Sequence, residues 1–153
     1  MMNKWMKIAY NEATEGMLAN DGGPFGAVIV HDGKVIATAH NEVLKTNDPT
    51  AHAEINAIRI ASEKLGTFDL SECLLYCTCK PCPMCLGAIF WARIGTVYYG
   101  ATEFDAARGG FDDQRFYEMI RGQNHDVTLK QIDYEVNAKL FDQWLAKEDR
   151  QMY

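Results

Sequence analysis

The stretch CLLYCTCKPCPMCLGAIFWARIGTVYYG, Cys73–Gly100, decides the fold. Leu74–Cys77 is a short apolar run suited to a buried strand, Cys82–Trp91 has the length of a helix, and Thr96–Tyr99 is rich in β-branched and aromatic residues, as a second strand requires. Strand, helix and strand in that order predict a parallel pair joined by a right-handed crossover.

Upstream, Trp5, Ile8, Ala9, Ala13 and Met17 recur at helical spacing between Asn3 and Asn20, and the breakers Asp21, Gly22, Gly23 and Pro24 end the pattern. Phe25–Val30 and Val35–Ala39 flank Asp32-Gly33, a strong signal for an antiparallel hairpin. Asp48 is suited to cap, and Pro49 to begin, a helix running through Ala53, Ile55, Ala57, Ile58, Ile60 and Ala61 to Gly66. Downstream, Arg115–Arg121 reads as a helix, Val127–Ile132 as a fifth strand, and Leu140, Phe141, Trp144 and Leu145 as one face of a last helix. The expected architecture is a single α/β domain, three-layer α/β/α, with a central mixed five-stranded sheet.

The 153 residues, 48% hydrophobic, suffice for one core and one enclosed pocket, with no repeat or linker to mark a second domain. The apolar runs AVIV and LGAIFWA are far too short for a bilayer, and MMNKWMKIAY lacks the pattern of an export signal, so the expected location is cytoplasmic, without a membrane partner. Fifteen basic against twenty-one acidic side chains give a formal charge of −6, and no Lys/Arg run tracks a phosphate backbone, so nucleic acid is not the expected partner. All five cysteines, Cys73, Cys77, Cys79, Cys82 and Cys85, crowd into one short stretch, which reads as metal binding rather than a disulfide framework.

Two motifs carry chemistry: His52-Ala53-Glu54 and Pro81-Cys82-Pro83-Met84-Cys85, each placed at the first turn of a helix. Cys82 and Cys85, three apart, project from one face, and a helix N-terminus favours the thiolate that zinc requires. With His52 as third ligand, a His/Cys/Cys set leaves the fourth tetrahedral position for water, the mark of a catalytic zinc. Glu54 is assigned as the proton shuttle. Zinc brings bound water to a pKa of about 7, and a carboxylate beside it takes the proton and returns it to a departing amino group. H-x-E followed by P-C-x-x-C, with a Glu that is not a ligand, is the signature of zinc-dependent base deaminases.

Plainer readings exist for several of these residues. Cys77 and Cys79 suit small buried hydrophobes better than additional ligands, and Cys73 is structural. His31, His125 and His40 read as solvated or packing residues, with only His40 close in sequence to the site. Asp112 and Asp113 also fit a solvated turn, and Phe25 and Trp91 ordinary core aromatics. A zinc-retaining binding protein without catalysis is the reading from another class, but a structural site has no need of Glu54.

With these motifs the chain resembles the cytidine-deaminase-like superfamily, and within it is similar to the small zinc-dependent guanine deaminases of bacteria. The matching segments are GGPFGAVIV, Asn41, NDPTAHAEI, PCPMCLGAIFWAR and DAARGGFDD, spanning Gly22–Tyr117 closely and both ends loosely. Nucleoside-type cytidine deaminases carry Cys where His52 stands, and riboflavin-pathway deaminases have a longer gap between the paired cysteines. The tRNA adenosine deaminases share HAE and the cysteine spacing but lack GFDD. The resemblance implies one zinc per subunit and the conversion of guanine to xanthine and ammonia. It further implies that Phe25 and Trp91 wall the base pocket, Asn41 bonds the purine edge, and Asp113 contacts guanine's N–H donors. It also implies a homodimer that exchanges its C-terminal segment, about 137–153, bringing Tyr153 to the partner's pocket. Guanosine, cytosine and ammeline remain as other aminated rings. Lys80 is a departure, since many relatives carry Glu there; charge reversal beside the metal loop bears on the pocket entrance.

Overall fold

The computed structural model describes residues 1–153. The chain opens with α1 (Lys4–Leu18), whose first free amides, Trp5 and Met6, donate to the Asn3 side chain. A hairpin follows, β1 (Gly26–His31) and β2 (Lys34–His40), with Asp32 and Gly33 both at positive φ, as its two-residue turn demands. After α2 (Val43–Thr46) come α3 (Ala53–Leu65), β3 (Cys73–Cys79), α4 (Pro83–Trp91), β4 (Thr96–Ala101), α5 (Glu103–Arg108), α6 (Asp113–Ile120) and α7 (Tyr134–Ala146).

The sheet is mixed, in the order β2-β1-β3-β4. β1 pairs antiparallel with β2 and β3, and β3 pairs parallel with β4 across α4, as the strand–helix–strand reading anticipates. β1 is buried on both faces. Its Val28 and Val30 pack with Tyr76 against Ala9 of α1, while Ala27 and Ile29 turn to the opposite side. There, Ala53, Ala57 and Ala61 of α3 meet Ala27, Ala37 and Ala39 of the sheet, an alanine seam that brings the helix close to the strands. Ile89 of α4 completes this larger core cluster, in which Leu75 and Cys77 of β3 also sit.

Three expectations need correction. The sheet has four strands, not five: Val127–Ile132 forms no ladder, and Leu129 is 91% exposed. Alternation alone does not make a strand, because its amides and carbonyls need a neighbour and none is offered within the chain. The helix expected to start at Pro49 starts at Ala53. The Asp48 carboxylate closes a local turn by accepting from the amide and hydroxyl of Thr50 at 2.8 and 2.7 Å, so Thr50–His52 stay outside the helix. Two short helices, α2 and α5, escaped the periodicity, although α5 begins with a legible capping box between Thr102 and Asp105. No helix is long and apolar enough to cross a membrane.

Candidate active site

His52 and Cys82 occupy equivalent places, each the extended residue immediately before a helix, α3 and α4 respectively. Pro83 follows Cys82 at the first helical position, where its missing N–H costs nothing, and Cys85 comes one turn along, completely buried. The two helix starts converge. His52 Nδ1 lies 3.7 Å from Cys82 Sγ and 3.6 Å from Cys85 Sγ, and the three donor atoms all lie within 4.8 Å of one another. A tetrahedral zinc with Zn–S of about 2.3 Å and Zn–N of about 2.0 Å demands N···S edges of about 3.5 Å. The donor set therefore fits zinc in both chemistry and spacing.

The protonation pattern around these atoms has one physical origin. The Cys82 sulfur accepts from the Cys85 thiol and from His52, which holds Cys82 far below the usual thiol range and leaves Cys85 protonated. His52 is raised in turn, first by Cys82. A dication replaces these shared protons, and its binding releases them.

Glu54 is in the first turn of α3, 7% exposed, with its Oε2 3.5 Å from Cys85 Sγ. Burial raises its carboxyl pKa, whereas a neighbouring dication favours ionisation. Those opposed effects suit a group that must accept a proton and then surrender it.

His52, Glu54 and Cys82 form one side of a cavity of about 370 Å³. Phe25 and Phe111, in edge-to-face contact at 4.8 Å between centroids, supply aromatic wall, and Gly22, Gly23, Asn41, Lys80 and Asp113 complete the polar margin. Asn41 is 4% exposed, and its Oδ1 accepts from the amides of Gly23 and Val43 at 3.3 and 3.2 Å. With that oxygen committed, the group Asn41 has left to offer a ligand is the Nδ2 donor. Burial, then the neighbouring Cys82, raises the Asp113 carboxyl.

Not every expected residue borders this cavity. Trp91 ends α4, six residues beyond Cys85 and so about 9 Å along the helix, and is 61% exposed. It lines a separate cavity of about 750 Å³ with Phe68, Met84 and Tyr153. That cavity is larger but mostly apolar, and neither Glu54 nor any of the three converging donors lines it, so its size does not make it the reaction site. Cys77 and Cys79 stand apart from the donor cluster; their thiols face the carbonyls of Tyr98 and Thr102, and burial raises both, Cys79 to about 11.

Sequence reasoning missed how Lys80 is used. Its ammonium pairs with Glu103 at 2.7 Å and lies over the ring of Tyr117, whose hydroxyl donates to the Pro81 carbonyl at 2.7 Å. Lys80 thus ties α5 and α6 to the metal loop. The Thr102–Asp105 capping box, which sets the start of α5, was the available signal for Glu103.

Compared with known families, residues 1–101 match the cytidine and deoxycytidylate deaminase zinc-binding region. The chain belongs to this deaminase family. Its cofactor is accordingly zinc, and the cluster of His52, Cys82 and Cys85 is consistent with a single ion. Among relatives of the deaminase, the guanine deaminase of Bacillus subtilis is 45% identical over 151 residues, 97% of each chain. The X-ray structure of guanine deaminase from Bacillus subtilis superposes with a TM-score of 0.94 at 45% identity, covering 99% of both chains. A tRNA-specific adenosine deaminase of Aquifex aeolicus is 42% identical over 143 residues, 94% of this chain and 93% of its own.

Proposed function

We propose that this zinc deaminase acts on free guanine, with water as co-substrate, giving xanthine and ammonia. The observation that carries the reading is the pairing of an acceptor, Asp113, with a donor, Asn41, in the one cavity that contains Glu54 and the metal ligands. Guanine presents N–H donors on the edge bearing its amino group, where a carboxylate accepts them; adenine has a bare ring nitrogen there, which would face Asp113 unpaired. Nearly full-length likeness to a guanine deaminase supports the same choice. When bound, zinc supplies the Lewis acidity that makes water a nucleophile at neutral pH. Glu54 takes a proton from that water as its oxygen bonds to the amino-bearing ring carbon, then delivers a proton to the amino nitrogen as the carbon–nitrogen bond breaks. Phe25 holds the face of the ring while Asn41 and Asp113 fix its edge.

The test is ammonia release from guanine, adenine, cytosine, guanosine and ammeline by the zinc-loaded protein, with an anticodon stem-loop RNA beside them. Guanine should be turned over far faster than the rest, and Asp113→Asn should lower kcat/KM for guanine by about 10²-fold or more through an unmatched donor pair. Equal activity of that variant would remove Asp113 as selector. Because the Aquifex relative acts on tRNA by name, salt-sensitive RNA binding with inosine formation would overturn the free-base reading; the formal charge of −6 opposes it.

We further infer a homodimer in which the segment from about 137 to 153 crosses to the partner, with Tyr153 near the partner's base cavity. Support comes from α7, which buries no residue within its own chain and exposes Val136, Leu140, Phe141 and Leu145, and from Tyr153, which does not border its own zinc site. Sedimentation should give twice the chain mass at micromolar concentration, and deletion of 137–153 should lower kcat/KM at least tenfold; a monomer with full activity would exclude the exchange. We place its action in the cytoplasm, in keeping with five cysteines crowded about a metal motif rather than spaced as a disulfide framework.

A further inference from the structure

His40 has no part in the chemistry derived above, yet both its ring nitrogens face carboxylates. Nδ1 lies 3.2 Å from Glu12 Oε2 of α1, and Nε2 lies 2.8 Å from Asp21 Oδ2 in the loop after α1. A neutral imidazole has one N–H and would turn a lone pair on one of the two; only the imidazolium donates to both. From α2 and its approach, Glu42 stands 3.9 Å from Nε2, and Lys45 pairs with Glu42 at 2.6 Å and Asp21 at 3.4 Å. From α3 comes only the neutral Asn56, which donates to the His40 carbonyl at 3.1 Å. Burial works against the imidazolium, but Asp21, Glu12 and Glu42 outweigh it and raise the His40 pKa.

What this ion cluster holds is one wall of the base cavity. The Asp21 carbonyl accepts from the amides of Leu44 and Lys45, both at 3.0 Å, so Asp21 binds His40 by its side chain and α2 by its main chain. The next residues, Gly22 and Gly23, line the cavity, as does Asn41, the chain neighbour of His40. The packing has no slack. A methyl group on Gly16 would come within 2.3 Å of the His40 ring, and one on Gly22 within 2.0 Å of Asn41 Oδ1.

We propose that His40 is a positioning residue for the purine base: clamped between Glu12 and Asp21, it sets the register of the Gly22-Gly23 loop and the Asn41 donor, and so controls substrate affinity rather than proton transfer. The inference rests on the guanine reading. Loss of the ring proton leaves Lys45 alone among three carboxylates, and the loop loses its anchor. Glu54 and the metal ligands, on α3 and α4, keep their places. Binding that is equal in ground and transition states appears in KM, not kcat.

The test follows two curves on the intact zinc enzyme, the NMR titration of the His40 ring and the pH profile of KM for guanine. KM should rise about tenfold as His40 loses its proton, with kcat unaffected by that titration. His40→Gln should show the raised KM throughout, with this pH step gone. A KM that ignores His40's titration, or a step that survives in His40→Gln, would overturn the proposal while guanine turnover stands. Absence of guanine turnover in the wild-type enzyme would overturn both readings. Should His40→Gln not fold, the two wild-type curves still decide.

Discussion

Glu54→Gln should reduce guanine turnover by about 10³–10⁴-fold while zinc content stays stoichiometric, the upper end of what a positioned acid–base group contributes. Glutamine has nearly the same shape and fits the same buried place in the first turn of α3. What it lacks is a carboxylate that can gain and lose a proton, and the proposed reaction demands proton transfer twice, once from water and once to the departing nitrogen. Removing a single group should therefore affect both halves of the reaction. The Glu54 carboxylate is not among the three converging donors, so metal analysis should not distinguish the variant from the wild type. Ammonia release in single-turnover mode, with zinc measured on the same sample, checks the prediction; a variant that retains zinc and at least a tenth of the wild-type rate would exclude Glu54 as the shuttle.

Cys85→Ala should lose both metal and activity to background, a larger effect than any change in the pocket wall. Cys85 is fully buried, and its sulfur is 3.6 Å from His52 Nδ1. Two remaining donors leave zinc more dependent on water and markedly weaker. Because the sheet and its helices have an apolar core of their own, the fold should persist with a lowered Tm, the difference being the binding free energy no longer added to the native state. The same protons give a pH dependence of definite sign. In the metal-free protein Cys85 and His52 are both raised; zinc must displace their protons, so affinity falls as pH falls. Competition with a chelator at two pH values measures this, and zinc retained at full stoichiometry by Cys85→Ala would contradict the assigned ligand set.

The metal site was legible because its information is local. His52-x-Glu54 and Cys82-x-x-Cys85 place donors at two helix starts, and strand–helix–strand order brings the second of them to the end of a parallel strand pair. The central strands were legible for a similar reason: β1 and β3 are buried runs whose composition leaves little choice. The errors lie where partners are distant in sequence. Asp48 and Pro49 look like a helix start, but Thr50 supplies a nearer hydrogen-bond partner for Asp48. Val127–Ile132 has the alternation of a strand and no strand beside it in the chain. The pairing of Lys80 with Glu103 and the double clamp on His40 join residues 23 and 19 or more positions apart, which no spacing rule reports.

The alanine seam beneath α3 gives core volume an unusual meaning here. Ala53, Ala57 and Ala61 meet the sheet at its own alanines, and the same helix carries His52 and Glu54 at its N-terminal end. In most cores an added methylene is felt as a loss of stability. On this helix it would also act as a lever: a residue such as valine at Ala57 would lift α3 from the strands and swing the carboxyl relative to the metal, and displacements of about 1 Å cost about 10² in rate. Selection for turnover should therefore be recorded at positions that never meet substrate, and small side chains there would persist in descendants whose stability alone would tolerate larger ones.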